Sequence, residues 1–290
     1  MEKLPNPGFG ACEGLSSLSD QYDVLLCDVW GVIHNGATIY AEAATALTRF
    51  RKHGGHVILM SNASRLSGMV NAQLHKLGLP KEAYDSLITS GDVTRDYMAA
   101  RPDCAVFDVG PGDARAIFEG LEVQFTSWNQ ADLVVTSGAF GDVNDGLAKV
   151  HSVLRDMRSR DLLLLCANPD VITELAGRRV QCSGALAVSY AQLGGRVTYA
   201  GKPQTPIYNR ALNIAAELRG ASVRRDRILV IGDSLSTDIA GAKANGFDSL
   251  FLWGGIHAEE LGPNPSWGAL NDLFARNIVT PTAAAHQLIW

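Results

Sequence analysis

Short apolar runs that end directly in a polar side chain recur along this chain. The first covers residues 24–27 and ends in Asp28, and comparable runs end in Ser61 and Asp233. Between the first two, residues 40–53 have apolar side chains at helical spacing and are followed by two glycines. A strand, a helix and a second strand in this order form the crossover unit of a parallel sheet. The chain is therefore predicted to be an α/β protein.

The pattern restarts in the middle of the chain. From about residue 104 a second series of strands and helices begins, with apolar strands at 132–138 and 161–170. Near residue 198 the composition changes again, and the strands at 227–233 and 248–255 end in polar or glycine-rich turns like those of the first 65 residues. Two α/β domains are expected, with the first and last parts of the chain in one of them.

Composition excludes several classes of function. With 47% hydrophobic and 19% charged residues among 290, the chain is typical of a globular protein with a substantial core. A net charge of −5 and no basic cluster beyond residues 224–227 argue against nucleic-acid binding. Five scattered cysteines without a CxxC pair indicate a reducing, cytoplasmic setting and no zinc site. Neither a signal peptide nor an apolar run of membrane-spanning length is seen, so no membrane partner is expected.

The polar strand ends form a set that suits phosphate chemistry. Its members are Asp28, Ser61 with Asn62, Lys202, Asp233 and Asp238. Taken singly, each has a structural explanation: an acid after a strand is as often a helix cap, and Asp238 suits the start of a helix. Taken together, the carboxylates suit a hard cation such as Mg²⁺. The lysine supplies a point charge for a phosphate, and the serine and asparagine supply neutral donors.

In these motifs the chain resembles the haloacid dehalogenase-like phosphatases. The resemblance is strongest to the branch with a large α/β cap, which includes 4-nitrophenyl-phosphatase-like, phosphoglycolate-phosphatase-like and nucleotide-phosphatase-like enzymes. The matching segments are DVWGV at Asp28, LMSNAS at Ser61, GKP at Lys202 and GDSLSTDI at Asp233, with TSGD at 89–92 and ANPD at 167–170 in the cap.

The resemblance implies an architecture. Residues 1–65 and 200–290 would form a discontinuous, doubly wound parallel-sheet core, and residues 66–199 an inserted α/β cap. The active site would lie in the cleft, where Asn168 to Asp170 or the 89–95 loop reaches the substrate. Proteins of this branch often pair through their caps, so a homodimer is expected.

The resemblance also implies roles for individual residues. Asp28 would be the nucleophile that accepts the phosphoryl group. Its carboxylate, the Trp30 carbonyl and Asp233 would hold Mg²⁺, with Asp238 just outside the ligand shell. Ser61 and Asn62 would contact the phosphoryl oxygens of a small phosphorylated metabolite, and Lys202 would neutralise charge.

Trp30 departs from the family pattern. Phosphatases of this family have a second aspartate here, which protonates the leaving alcohol and then activates water. An indole N–H does neither, and a positioned acid or base is typically worth about 10²–10⁴-fold in rate. His34 is a weak candidate to replace it. Two hypotheses follow: a phosphohydrolase that is slow or restricted to good leaving groups, or a phosphometabolite-binding or regulatory protein with little turnover.

Overall fold

A computed structural model describes residues 10–109, 116–138, 151–175 and 178–290. The chain forms two compact units. The first comprises Met1–Ser61, Val70–Ile88 and Pro203–Trp290, and the second Asn62–Met69 and Thr89–Lys202. Residues 70–88 thus belong to the first unit, whereas they were predicted to lie in the inserted domain. The division into a core of 1–65 and 200–290 and a cap of 66–199 stays a proposal.

Strands and helices alternate along most of the described chain. The strands are β1 (Gly10–Ala11), β2 (Val24–Asp28), β3 (His56–Ser61), β4 (Ser86–Thr89), β5 (Ala105–Asp108), β6 (Gln124–Phe125), β7 (Leu133–Thr136), β8 (Leu163–Cys166), β9 (Ile172–Leu175), β10 (Arg178–Gln181), β11 (Arg196–Tyr199), β12 (Ile228–Gly232), β13 (Asp248–Leu252) and β14 (Ala283–Ala285). The α-helices are α1 (Ala41–Lys52), α2 (Ser67–Lys76), α3 (Ser90–Ala99), α4 (His151–Ser159), α5 (Ser183–Gln192), α6 (Thr205–Arg219), α7 (Ala240–Asn245), α8 (Ala258–Leu261) and α9 (Trp267–Asn277).

The first unit is built on a seven-stranded sheet with the order β1-β14-β13-β12-β2-β3-β4. Within this sheet, each pair of adjacent strands from β1 to β3 is parallel. β2 lies between β12 and β3, and its apolar residues 24–27 are fully buried. A strand buried on both faces reads as a continuous apolar run, which is why 24–27 shows no alternation. The predicted parallel α/β class is confirmed.

The second unit has its own sheet and core. Five parallel strands follow the order β11-β8-β7-β5-β6, and β9 and β10 form a separate antiparallel pair. Leu164, Leu186 and Tyr190 belong to its buried cluster. The Tyr190 hydroxyl donates to the Leu162 carbonyl at 2.7 Å, so the one polar atom of this side chain is satisfied. Among the described residues, no helix combines the length and the apolar character that crossing a membrane requires.

Candidate active site

The carboxyl ends of three adjacent strands meet at one edge of the first unit's sheet. Asp28 of β2 pairs with Met60 of β3, so Ser61 lies one residue further along β3 than the partner of Asp28. Cys27 of β2 pairs with Ile231 of β12, and Asp233 follows two residues later. Polar residues at neighbouring carboxyl ends are where open α/β sheets place their ligands.

Three carboxylates converge at this edge. Oxygen atoms of Asp28, Asp233 and Asp238 lie within 4.8 Å of one another. Asp233 and Asp238 are buried, at 4% and 1% exposure, and Asp28 is partly buried. Three like charges held this close away from water repel one another unless a cation or a proton neutralises them. The all-oxygen donor set suits a hard divalent cation.

Two glycines border the Asp233 carboxylate. A β-carbon on Gly31 would lie 2.1 Å from Oδ2 of Asp233, and one on Gly255 would lie 2.0 Å from the same atom. That oxygen also accepts a hydrogen bond from the Ile256 N–H at 2.8 Å. Gly31 has a φ of +77°, which a residue with a side chain rarely adopts. Both glycines are therefore needed for the backbone to approach the acid this closely.

Asp238 is positioned by an irregular turn of helix. It lies in the π-helical turn Leu235–Ile239, between β12 and α7. Its Oδ2 accepts from the Ser234 N–H at 3.2 Å, and a β-carbon on Gly232 would lie 2.1 Å from its Cγ. Such π turns are often found at functional sites, because they redirect a side chain without ending the helix.

Trp30 and His34 form the turn that follows the Asp28 strand. The two rings make an edge contact, with centroids 5.2 Å apart and planes at 78°. The Trp30 side chain remains 43% exposed, whereas His34 is 4% exposed. The Nδ1 atom of His34 accepts a hydrogen bond from the Gly36 N–H at 2.8 Å. That nitrogen is therefore occupied and is not available for proton transfer in this arrangement.

Four of the predicted residues lie in the second unit, and hydrogen bonds connect all four. The buried Asn62 amide donates to Oδ1 of Asp170 at 2.9 Å and to the Lys202 carbonyl at 3.2 Å, and its oxygen accepts from the Lys202 N–H at 2.8 Å. Asn168 supports the same segment, because its Oδ1 accepts from the Asp170 N–H at 3.0 Å. Both amide hydrogens of Asn62 are thus used within the protein.

Several residues at the carboxylate cluster were missed by sequence reasoning. Gly255 and Ile256 contribute the close approach and the N–H described above. Burial raises the pKa of Tyr40, and the negative charge of Asp233 raises it further, so this phenol lies within electrostatic reach of the cluster. The paired glycines after the strand at 248–252 were the available signal for the first two. Nothing in the sequence marked Tyr40.

Comparison with known proteins agrees with these motifs. Two family models match: a haloacid dehalogenase-like hydrolase model over residues 25–124 and a related hydrolase-like model over residues 199–275. A D-glycerol 3-phosphate phosphatase of Mycobacterium tuberculosis is 26% identical over 281 residues, covering 94% of this chain and 72% of that protein.

Solved structures extend the comparison. The glycerol phosphate phosphatase of M. tuberculosis, solved in complex with magnesium, shares the fold with a TM-score of 0.68 at 22% identity, covering 93% of this chain and 76% of that one. A haloacid dehalogenase-like hydrolase from Brucella suis is 42% identical, with a TM-score of 0.84. The match covers 96% of this chain and 100% of that one. With its strand-end motifs in place and a relative this similar over its whole length, the chain belongs to the haloacid dehalogenase-like hydrolase family.

Proposed function

We propose that this protein is a Mg²⁺-dependent phosphohydrolase that acts on a small phosphorylated metabolite through an aspartyl-phosphate intermediate. The observation that supports this most strongly is the convergence of Asp28, Asp233 and Asp238 within 4.8 Å at the carboxyl edge of the sheet. The phosphatase activity of a relative that spans most of the chain supports the same reaction class.

The carboxylate cluster fits Mg²⁺. Its donors are oxygens only, and Mg²⁺ is usually held by one or two carboxylates together with phosphate and water. We assign the binding to Asp28, Asp233 and the Trp30 carbonyl, with Asp238 beside them. When bound, the cation supplies the positive charge that lets a phosphate dianion approach a carboxylate.

The chain's own residues then have distinct tasks. A carboxylate oxygen of Asp28 attacks phosphorus, the Asp28–phosphorus bond forms and the bond to the leaving oxygen breaks. Water hydrolyses the resulting acyl phosphate and releases inorganic phosphate. Ser61, at the end of the neighbouring strand, donates to a phosphoryl oxygen. Phosphoryl transfer depends chiefly on such positioning and on charge stabilisation, and Lys202 supplies further positive charge.

Trp30 restricts the substrates on which this reaction can be fast. Because indole neither gives nor takes a proton usefully, an alkoxide leaving group departs without assistance. We expect turnover to be fastest for substrates whose leaving group is stable as an anion. A second candidate, favoured by the same residue, is a protein that binds a phosphometabolite with Mg²⁺ but hydrolyses it very slowly.

Phosphate release tests the proposal. With Mg²⁺, the wild type should release phosphate from an aryl phosphate, and Asp28→Asn should abolish this. Asp272→Asn, which removes an exposed carboxylate on α9, is the matched control and should retain full activity. Equal inactivity of the wild type and Asp28→Asn over a broad panel of phosphates would contradict the enzyme proposal. Mg²⁺-dependent ligand binding in calorimetry without hydrolysis would support the binding protein instead.

Assembly and cellular location stay predictions from the sequence. Pairing of two chains through residues 66–199 is expected from the resemblance, and light scattering on the purified protein tests it.

A further inference from the structure

Two exposed apolar residues lie next to the glycines that border the carboxylate cluster. Trp30 precedes Gly31, and Ile256 follows Gly255. Since Gly31 and Gly255 both approach Oδ2 of Asp233, the two apolar residues lie on backbone segments that border the same carboxylate oxygen. Their side chains are 43% and 68% exposed. We call this pair, Trp30 and Ile256, the apolar rim.

The Trp30 ring is held in place by its own turn. A β-carbon on Gly36 would lie 2.5 Å from Cη2 and 2.8 Å from Cζ3 of the indole, so the Gly36 backbone packs directly against the ring. The buried His34 ring makes the edge contact. A ring that is supported on one side and open elsewhere offers a preorganised surface, and such a surface loses little conformational entropy when a ligand binds.

Core packing does not account for the rim. An exposed large apolar side chain is ordinary when it stands alone, but here two of them lie on backbone segments that border Asp233, a member of the carboxylate cluster. Apolar surface beside a charged centre is typical of sites that bind an amphipathic molecule, with the charged end at the polar groups.

We propose that the apolar rim receives the leaving group of the substrate and that this leaving group is an aryl group rather than a sugar or glycolate. The inference rests on the proposed phosphohydrolase function. An aryl phosphate places its phosphoryl group at Asp28 and its ring against Trp30 and Ile256. Aromatic rings pair in offset-stacked or edge-to-face geometries, and either is open to a ligand beside a half-exposed indole.

The chemistry matches the missing general acid. In the first step the bond from phosphorus to the aryl oxygen breaks, and its electron pair leaves with that oxygen as an aryloxide. A phenol has a pKa of about 10, well below the 15.7 of water, so the aryloxide departs without a proton. Water then attacks the phosphoryl group on Asp28, and its proton passes to solvent. The residue that replaces the acid thus also recognises the substrates that need no acid.

Three phosphates separate recognition of a ring from acidity of the leaving group. Phenyl phosphate has a planar leaving group, hexafluoroisopropyl phosphate has a leaving group of similar acidity without a ring, and acetyl phosphate is activated but small.

With Mg²⁺, the wild type should show a kcat/KM about tenfold higher for phenyl phosphate than for hexafluoroisopropyl phosphate, which is the effect of one aromatic contact. Trp30→Ala and Ile256→Ser should each lower that ratio several-fold, chiefly by raising KM for phenyl phosphate.

Trp267→Ala is the matched control, because Trp267 is 39% exposed and lies on α9. It should leave both the ratio and the rates unchanged, and circular dichroism should show that all variants are folded. A wild-type ratio near one, or a ratio that Trp30→Ala and Ile256→Ser leave unchanged, would overturn the aryl inference alone. No phosphate release from any of the three, acetyl phosphate included, would overturn the proposed function itself.

Discussion

Replacing Gly255 by alanine puts a methyl group directly against the Asp233 carboxylate. The new carbon would lie 2.0 Å from Oδ2 and 2.4 Å from Cβ of Asp233, whereas ordinary contact begins at 3.4 Å. The acid therefore has to retreat by 3.4 − 2.0 = 1.4 Å, or the glycine-rich loop has to move by as much. Either shift breaks the 2.8 Å hydrogen bond from the Ile256 N–H.

Gly255→Ala should change two measurable quantities, the free energy of unfolding and the affinity for Mg²⁺. Overpacking a buried site typically destabilises by about 1–3 kcal/mol, so the free energy of unfolding should fall by about that amount. A ligand displaced by more than about 0.5 Å no longer holds its cation well. Changes next to metal ligands typically cost about 10–100-fold in affinity, and we expect a loss of Mg²⁺ affinity in that range.

Calorimetric titration with Mg²⁺ measures the affinity, and denaturant unfolding measures the free energy of unfolding. The control is Gly268→Ala on α9, where the nearest atom to the added carbon is Oγ of Ser266 at an ordinary 3.7 Å. This variant should keep wild-type Mg²⁺ affinity and, as a glycine-to-alanine change in a helix, should not lose stability. A Gly255→Ala protein that binds Mg²⁺ as tightly as the wild type would refute the assignment of Asp233 as a ligand held by this loop.

Three further predictions address other parts of the molecule. Trp30→Asp should restore the missing acid and raise kcat on glycerol phosphate, by up to about 10²–10⁴-fold, and no gain would contradict the reason given for slow alkyl turnover. Asn62→Ala removes three hydrogen bonds of a buried amide and should lower the free energy of unfolding by about 2 kcal/mol in urea titration, while exposed Asn129→Ala changes little. Burial raises the pKa of Cys166 and of Cys182 to about 12, so both thiols should resist iodoacetamide in the native protein at pH 8, read by mass spectrometry, and react once it is unfolded. Because the unfolded thiols ionise near their ordinary value of 9.0, these two groups should also lower stability as pH rises above 9.0 towards 12.

The strands that carry the carboxylates were predictable because their signals are local. An uninterrupted apolar run that ends in an acid identified β2 and β12, and parallel pairing makes their carboxyl ends face one edge. Helix α1 was predicted at 40–53 and found at Ala41–Lys52, because its apolar spacing and the following glycines mark both ends. Residue type and spacing were enough for these elements.

Other features depend on partners that lie far away in the sequence. β14 consists of three alanines, which have little strand propensity, and it forms because β13 and β1 pair with it. The short strand β4 was missed for a similar reason, since four residues give too little periodicity. The Asn62 side chain bonds to residues 108 and 140 positions away. Its engagement with the Lys202 backbone was therefore invisible in the local motif, which suggested only a phosphate contact.

Trp30 shows the same limit at the site itself. The sequence indicated that a proton carrier is missing, because indole has no useful acid or base. It did not indicate that the ring is half exposed or that Gly36 packs against it. Nor did it indicate that the backbone next to Ile256 approaches the same Asp233 oxygen as the backbone next to Trp30. These are properties of the folded turn and of a loop more than two hundred residues further along.

The central claim is that Asp28 takes the phosphoryl group, and trapping that group tests it most directly. The protein is mixed with acetyl phosphate and Mg²⁺, quenched in acid within milliseconds and digested for mass spectrometry. We predict a phosphoryl group on the peptide that contains Asp28, absent when Mg²⁺ is removed and absent in Asp28→Asn. A phosphoryl group on another residue, or steady release of phosphate by Asp28→Asn, would contradict the account.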